Sequence, residues 1–323
     1  MNFLNNTYNL YDNAIFSLAS ANNFKLNYQK MNQDELVEYI TYNYHKLEKG
    51  LSLKKVKPNF GSDSKVISKI IKLTEYYIDK FDYQDPIVIS VYDALNDYLI
   101  WHKQKKIDIL EKPLIKFIEK YKHLKLIKSD QKYGGIISQN KKDILEKITY
   151  LNEDFFRSRR SIRNFSDIEV DNNLIMECVN KALIGTPTVC NRNINKVYVI
   201  DDYYKRKLIL SLQNGNKGFG IHASKILIIT SKLNCFFHPI ERREPYISGG
   251  MFSMSLLYAL HSNSLASCCL NWDVSPDKDI KLKNILRIKN ESVIMLIALG
   301  HYKEKFNVAV SKKKCLKNVV NFI

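Results

Sequence analysis

The stretch Arg157-Ser158-Arg159-Arg160-Ser161-Ile162-Arg163-Asn164-Phe165 carries four arginines within seven residues, with two serines between them. A solvated charge run usually mixes Lys with Glu at helical spacing, and this stretch contains neither. A guanidinium offers a planar fork of donors that suits phosphate, and a neighbouring serine adds a short hydroxyl donor. The stretch therefore predicts a phosphate clamp that holds a cofactor. The alternative is an exposed basic linker between two domains, which the local sequence alone slightly favours.

The composition indicates a folded chain of one large domain or two ordinary ones. The chain has 323 residues, 45% of them hydrophobic, which is enough for a core of normal size. No apolar run reaches the roughly 18 residues that span a bilayer, and the N-terminus does not resemble a secretory signal. The six cysteines form no CxxC pair, so neither a zinc site nor a disulfide framework is predicted. We therefore expect no metal site and a cytoplasmic location.

The net charge of +17 invites a nucleic-acid hypothesis. The basic residues are spread along the chain, however, and are not collected in a tail. The chain is also rich in Lys, Asn, Ile and Tyr, which is the bias that an AT-rich genome produces. Spread basicity is therefore weak evidence, and no nucleic-acid partner is predicted.

Residues 1–150 predict a mainly helical region, and strand-like alternation is scarce before residue 190. Asn32 with Glu35 predicts a capping box, and Gly50 predicts a left-handed C-terminal cap of the same helix. Further helices are predicted at 63–80, 86–106, 111–125 and 143–156, with a loop at 132–139. His45 and Glu48 share a helical face, where they could form a metal or acid–base pair. A surface pair at a helix end is the favoured interpretation.

After residue 165, helices alternate with short apolar strands, which is typical of a layered α/β arrangement. Helices are predicted at 171–184, 202–212, 248–262 and 277–286, the third of them opening at Gly249-Gly250. Strands are predicted at 196–200, 226–230, 267–272 and 292–300. We divide the chain into an N-terminal helical extension, 1–150, and a second domain, 151–323.

Four segments of the second domain resemble motifs of the nitroreductase-like flavoproteins. Arg159–Phe165 resembles their Arg-Arg-Ser-x-Arg-x-Phe opening, and Thr186–Asn193 resembles their Ala-Pro-Ser-x-x-Asn-x-Gln loop. Gly249-Gly250 with Leu265–Cys268 resembles the family's helix and its Gly-Leu-Gly-Ser-Cys turn. Gly300 followed by Ser311–Lys313 resembles the terminal Gly-Tyr and Ser-x-Arg elements. Four motifs in the family's order, over about residues 155–315, make a strong signal.

The resemblance implies an α+β, three-layer fold with a central mixed, mainly antiparallel sheet flanked by helices. It implies a homodimer with FMN at the interface. NADH or NADPH would reduce the flavin, and the reduced flavin would act on a small-molecule substrate. The flavin carries this chemistry, so no catalytic acid or base is expected from the chain.

The resemblance also assigns cofactor-binding residues. Arg159 and Ser161 would hold the FMN phosphate, and Lys312 or Lys313 would complete that site. Arg163 would lie near the flavin N1–C2 carbonyl, where a cation favours the reduced anionic form.

The remaining assignments concern the flavin ring. Asn191, and Asn193 in the position of the family's Gln, would meet the pyrimidine edge, and the backbone of Leu270 and Asn271 would approach N5. Arg160 is included in the predicted set, although it could equally be an exposed basic residue.

The sequence departs from the family pattern at several points. Asn193-Ile194-Asn195 replaces the usual Gln-Pro-Trp, Ser264 and Ala266 replace glycines, and lysine replaces the terminal arginine. Residues 45–51 resemble a segment of longer nitroreductase-family proteins that accompany bacterial surface-polysaccharide genes. The extension could cap the flavin pocket, bind a partner or enlarge the dimer. The alternative function is therefore a flavin-binding scaffold or docking protein without NAD(P)H turnover.

Overall fold

The computed structural model describes most of the chain, namely residues 10–20, 27–53, 56–62, 65–81, 84–109, 112–123, 132–138, 151–309, 311, 316 and 319–323. Ten helices are numbered here in chain order: α1 (10–20), α2 (Gln33–Leu51), α3 (Val66–Lys80), α4 (Pro86–Gln104), α5 (Lys112–Tyr121), α6 (Glu153–Ser158), α7 (Asn172–Gly185), α8 (Tyr203–Leu212), α9 (Glu244–Ser262) and α10 (Pro276–Leu286). The four strands are β1 (Asn195–Ile200), β2 (Lys225–Lys232), β3 (Leu265–Asn271) and β4 (Glu291–His301).

The four strands form one sheet in the order β1-β2-β4-β3, with every pairing antiparallel. Alternate side chains of β2 enter two different cores because successive residues of a strand point to opposite faces. Ile226 and Ile228 join the core with Leu282 of α10. Leu227 and Ile229 join the core against α7 and α9. The predicted α+β fold with helices on both faces of a sheet is confirmed.

The helices α2 to α5 build a separate core whose buried members run from Met31 to Tyr121, with Phe237 added from the loop after β2. The predicted helical N-terminal region is therefore confirmed for the residues described. The boundary near residue 150 stays a prediction, because 139–150 lie outside the described residues. No helix in the described part of the chain is long and apolar enough to cross a membrane.

The sequence identifies several helix ends correctly. The Asn32 side chain accepts from the Glu35 backbone N–H at 2.9 Å, and Glu35 accepts from the Asn32 N–H at 3.0 Å, which completes the capping box. Asp171 and Asp202 cap α7 and α8 as predicted. The predicted strands are each present within two residues of their expected ends.

Two glycine assignments are wrong. Gly50 does not cap α2, which continues to Leu51; instead, a Cβ at Gly50 would lie 2.1 Å from the Phe60 ring. Gly249 does not open α9, which begins five residues earlier, at Glu244. Gly249 lies where the helix crosses the sheet, and a Cβ there would lie 2.5 Å from Ile294. Both glycines are therefore required by close packing.

Polar contacts join α2 to the sheet domain. The Lys232 ammonium lies 2.9 Å from the Asp34 carboxylate, and the Asn193 backbone N–H donates to Glu38 at 3.1 Å. Burial raises the pKa of Glu38 to about 7, although Lys232, the Asn193 N–H and Arg192 all favour the ionised carboxylate. Glu38 is therefore a buried acid whose ionisation opposes the docking of α2.

We predict that Glu38 makes the protein less stable as the pH rises from about 4.5 to about 7. The folded state binds the Glu38 proton more tightly than the unfolded state, so the free energy of unfolding falls across this window. The effect is at most about 3 kcal/mol. Glu38→Gln should remove this fall in the free energy of unfolding, as measured by urea denaturation from pH 4 to pH 8.

The exposed carboxylate Asp79 on α3 provides the control, and Asp79→Asn should keep the wild-type pH dependence. A Glu38→Gln curve parallel to the wild-type curve would contradict the assignment.

Candidate functional site

The arginine-rich stretch lies against the edge strand β3 in extended conformation. The Ile162 N–H donates to the Ser267 carbonyl at 2.9 Å, and Phe165 forms a bridge with Tyr302. Ile162 and Phe165 are buried, and the Phe165 ring fills the space over Gly300, where a Cβ would approach it to 2.8 Å. These anchors hold the arginines along the sheet edge. The basic-linker interpretation is wrong for this stretch as a whole, because its apolar residues belong to the core.

The arginines differ in their partners. Arg157 is exposed and pairs with Glu153 one turn earlier on α6. Arg159 and Arg160 are half-buried and Arg163 is exposed. Among the described residues, no carboxylate lies within 4.0 Å of any of these three guanidiniums. Three cations close in sequence repel one another without a counter-charge, which is the electrostatic condition of an anion site.

A hydrogen-bonded chain of side chains lies beside Arg159. His261, at the end of α9, shares one hydrogen bond of 2.8 Å with the Ser158 hydroxyl and another of 3.1 Å with the Tyr302 hydroxyl. Burial and the positive charge of Arg159 hold the pKa of His261 below its ordinary value. The neutral imidazole avoids adding a further cation beside Arg159.

The Ser161 hydroxyl faces the Cys268 thiol, whose pKa is raised by burial. Arg159 also interacts electrostatically with Cys268 and Tyr302. Its guanidinium and the Ser161 hydroxyl are donors of the kind that suits a phosphate group. No sequence pattern points to His261 or Tyr302, because they come from the ends of a distant helix and a distant strand. Lys312 and Lys313 lie outside the described residues, so their predicted part in this site stays a prediction.

Residues 188–193 form the second part of the predicted site. Cys190 and Asn191 both adopt left-handed backbone conformations, with φ of 50° and 56°. The Asn191 and Asn193 side chains are exposed, whereas Arg192 between them is completely buried. Arg192 pairs with Glu241 and donates to the Cys235 carbonyl at 2.8 Å. Its burial was missed because an arginine in a polar loop reads as a surface residue.

The end of β3 forms the third part. Leu270 is buried, and Asn271 is exposed. The Gln213 side-chain amide donates to the backbone carbonyl of Asn271 at 3.1 Å and so fixes this strand end. A cavity of about 610 Å³ begins at the next residue and is lined by Trp272–Pro276, Asn214, Tyr246, Ser292–Ile294, Lys278, Asp279, Lys283 and, from α1, Tyr11 and Asp12.

The structure does not bring all the predicted residues together within one chain. Arg159 lies at the C-terminal end of α9, beside His261. The loop with Asn191 lies at the N-terminal end of α9, where Arg192 meets Glu241 and the Asn195 amide donates to the Ser248 carbonyl at 3.4 Å. The helix has 19 residues, which corresponds to about 28 Å. One flavin cannot contact both ends of this helix within a single chain.

The region that contains these residues is similar to a known protein family. The nitroreductase family model matches residues 156–301. A search of curated proteins finds no match to this chain.

Among solved structures, three matches are each similar to about half of the chain. An FMN-dependent nitroreductase from Clostridium difficile R20291 has 19% identity and a TM-score of 0.43, covering 52% of this chain and 96% of its own. A nitroreductase family protein from Streptococcus pneumoniae TIGR4 has 16% identity and a TM-score of 0.44, with coverages of 53% and 98%. A Desulfovibrio desulfuricans protein, solved in complex with FMN, has 17% identity and a TM-score of 0.44, with coverages of 58% and 99%.

We predict that Arg159→Ala weakens the binding of FMN about 10- to 100-fold, because a charge-assisted phosphate contact is lost. Fluorescence titration of the apoprotein with FMN measures this change. Arg157→Ala is the matched control and should bind FMN as the wild type does, since its partner is Glu153. Equal effects of the two substitutions would contradict the assignment.

Proposed function

We propose that the chain is an FMN-dependent oxidoreductase, because residues 156–301 match the nitroreductase family model. It takes hydride from NADH or NADPH and passes it to a small-molecule substrate. The observation that carries the proposal is the arginine stretch, which is anchored in the core and keeps three guanidiniums free of carboxylates among the described residues.

The donors around Arg159 fit the phosphate end of FMN. The Arg159 guanidinium and the Ser161 hydroxyl would supply charge-assisted hydrogen bonds. Tyr302 interacts electrostatically with Arg159 and shares a hydrogen bond with His261. No carboxylate among the described residues competes for this position. These groups hold the phosphate, and their burial excludes part of the surrounding water.

The other predicted contacts are assigned to the ring end of FMN. When bound, FMN supplies the two-electron chemistry through its N5 atom. Arg163 lies two residues beyond Ser161, and its charge would stabilise negative charge at the N1–C2 edge. The backbone at Leu270 and Asn271, which Gln213 fixes, would approach N5. The cavity beginning at Trp272 offers space for the second substrate.

The separation between the arginine stretch and the Asn191 loop within one chain supports a homodimer. The α9 helix is apolar around most of its circumference, which is typical of a helix buried on all sides. Yet Ile247 and Met251 are exposed, and the space beside Gly250 is open. A second copy that packs its own α9 antiparallel along this face covers these residues.

The same two-fold arrangement would complete the site. It brings the N-terminal end of one α9 beside the C-terminal end of the other. The Asn191 loop of each copy would then face the Arg159–Arg163 stretch of the other copy. FMN at this interface would contact both predicted groups of residues, which one chain alone holds near opposite ends of a helix about 28 Å long.

The direct test of the function is anaerobic mixing of the FMN-loaded protein with NADH and, separately, with NADPH. We expect at least one donor to abolish the absorbance of oxidised flavin and a suitable acceptor to restore it. Absorbance that persists with both donors would contradict the reductase function and favour a flavin-binding scaffold.

A further inference from the structure

Two lysines of the helical extension lie over a pair of tyrosine rings near the Asn191 loop. The Lys46 ammonium lies 4.2 Å from the centroid of the Tyr42 ring, and the Lys69 ammonium lies 4.7 Å from that of Tyr39. The two tyrosine rings are nearly parallel, at 10°, with centroids 6.5 Å apart. The rings therefore hold two cations from different helices, α2 and α3, on one platform.

Neither ammonium is neutralised by the described residues. The Lys46 ammonium contacts the Tyr42 ring and donates to the Asn43 amide oxygen at 3.4 Å. No carboxylate of the described residues lies within 4.0 Å of Lys46 or Lys69. Burial and the charge of Lys69 lower the pKa of Lys46 below its ordinary value.

The carboxylates in this neighbourhood are already engaged. Glu241 pairs with Arg192, and Glu38 accepts the Asn193 N–H within the buried contact between α2 and the sheet domain. An arriving anion is therefore the group that relieves the repulsion between the two lysines.

The lysine pair is next to the loop that carries the predicted flavin contacts. Cys190 interacts electrostatically with both Lys46 and Tyr42, and the Arg192 guanidinium lies 5.5 Å from the centroid of the Tyr42 ring. Lys46 and the Tyr42 ring are thus next to residues 190–192, and Lys69 joins them through the neighbouring Tyr39 ring.

We propose that Lys46 and Lys69, on the Tyr39–Tyr42 platform, form an oxyanion-binding site of the helical extension beside the flavin loop. The proposal rests on the proposed function for the identity of the ligand. The oxyanion belongs to a reactant at the flavin, either the pyrophosphate of the nicotinamide donor or a carboxylate or phosphate of the second substrate. Residues 1–150 thereby help to select the substrate.

The lysine chemistry fits this role. An ammonium is a compact point charge with three rotatable donors, so two of them bind an oxyanion without the fixed geometry that arginine requires. The site also gives a role to Lys46 of the segment 45–51. Four other members of that segment have structural partners: Glu48 accepts the Gly135 N–H at 3.0 Å and pairs with His45, and Leu47 and Leu51 are buried.

Calorimetric titration with inorganic pyrophosphate tests the site without using flavin chemistry. An Arg159→Ala background weakens competing binding at the arginine stretch. In that background, Lys46→Gln/Lys69→Gln should lower the affinity for pyrophosphate about tenfold. The matched control is Lys72→Gln, because Lys72 lies on the same helix over the Tyr28 ring, at 5.8 Å. The control should retain the affinity within about twofold.

Absence of pyrophosphate binding in the Arg159→Ala protein would overturn the proposal. So would an equal loss of affinity in the Lys72→Gln control. Thermal unfolding of each variant shows whether the fold is retained, and a double variant that unfolds early is replaced by the two single variants. The titration does not depend on flavin reduction. The oxyanion site and the proposed reductase function are therefore tested separately.

Stopped-flow measurement of flavin reduction then distinguishes the two sources of the oxyanion. Here the Lys46→Gln/Lys69→Gln substitutions are made in the chain that keeps Arg159. If the donor supplies it, the double variant should need about tenfold more NADH or NADPH for half-maximal reduction, at an unchanged limiting rate. If the second substrate supplies it, reduction should be unchanged while the loss of pyrophosphate affinity remains.

Discussion

The buried guanidinium of Arg192 is the interaction on which the position of the 188–193 loop depends. It is completely buried, pairs with Glu241, and donates to the carbonyls of Cys235 and Val189 at 2.8 and 3.1 Å. The rings of Phe236 and Phe237 lie 5.0 and 5.3 Å from it. A buried charge is tolerated only when it is paired and hydrogen-bonded, so this geometry has little freedom.

The pairing also sets the ionisation of its partner. Burial on its own raises the pKa of Glu241, but the Arg192 charge and the backbone N–H groups of Phe237 and His238 lower it below its ordinary value. The carboxylate therefore stays charged at neutral pH and keeps Arg192 in place. Because Arg192 follows Asn191 directly, the same network fixes the backbone of the predicted flavin loop. The proposed flavin contacts of this loop would therefore depend on a network that the flavin itself does not touch.

The long helix α9 sets the distances within the candidate site. Its C-terminal end carries His261 beside the arginine stretch, and its N-terminal end adjoins the Arg192 network. Its close passage over the sheet at Gly249 fixes its position relative to β4. A flavin that needs both ends therefore requires a second helix running the other way. The exposed apolar residues on the same helix are consistent with that requirement.

The sequence predicted those parts of the structure that depend on local chemistry. The capping box at Asn32, the caps at Asp171 and Asp202, and the order of strands and helices follow from short-range patterns, and the structure confirms them. The arginine stretch was recognisable because its residue types are unusual for a solvated run. Gly50 and Gly249 were assigned wrongly, because their role depends on a side chain from elsewhere in the fold. Arg192, His261 and Tyr302 were missed for the same reason, since their partners are distant in sequence.

The most direct test of the composite flavin site is a mixed dimer of Arg159→Ala and Asn191→Ala chains, separated by two affinity tags. If each site uses the arginine stretch of one copy and the Asn191 loop of the other, one site of the mixed dimer carries both substitutions and the other carries none. The mixed dimer should then bind about one FMN with wild-type affinity, while each parental dimer binds both flavins weakly. A mixed dimer that binds FMN no better than its parents would contradict the composite site.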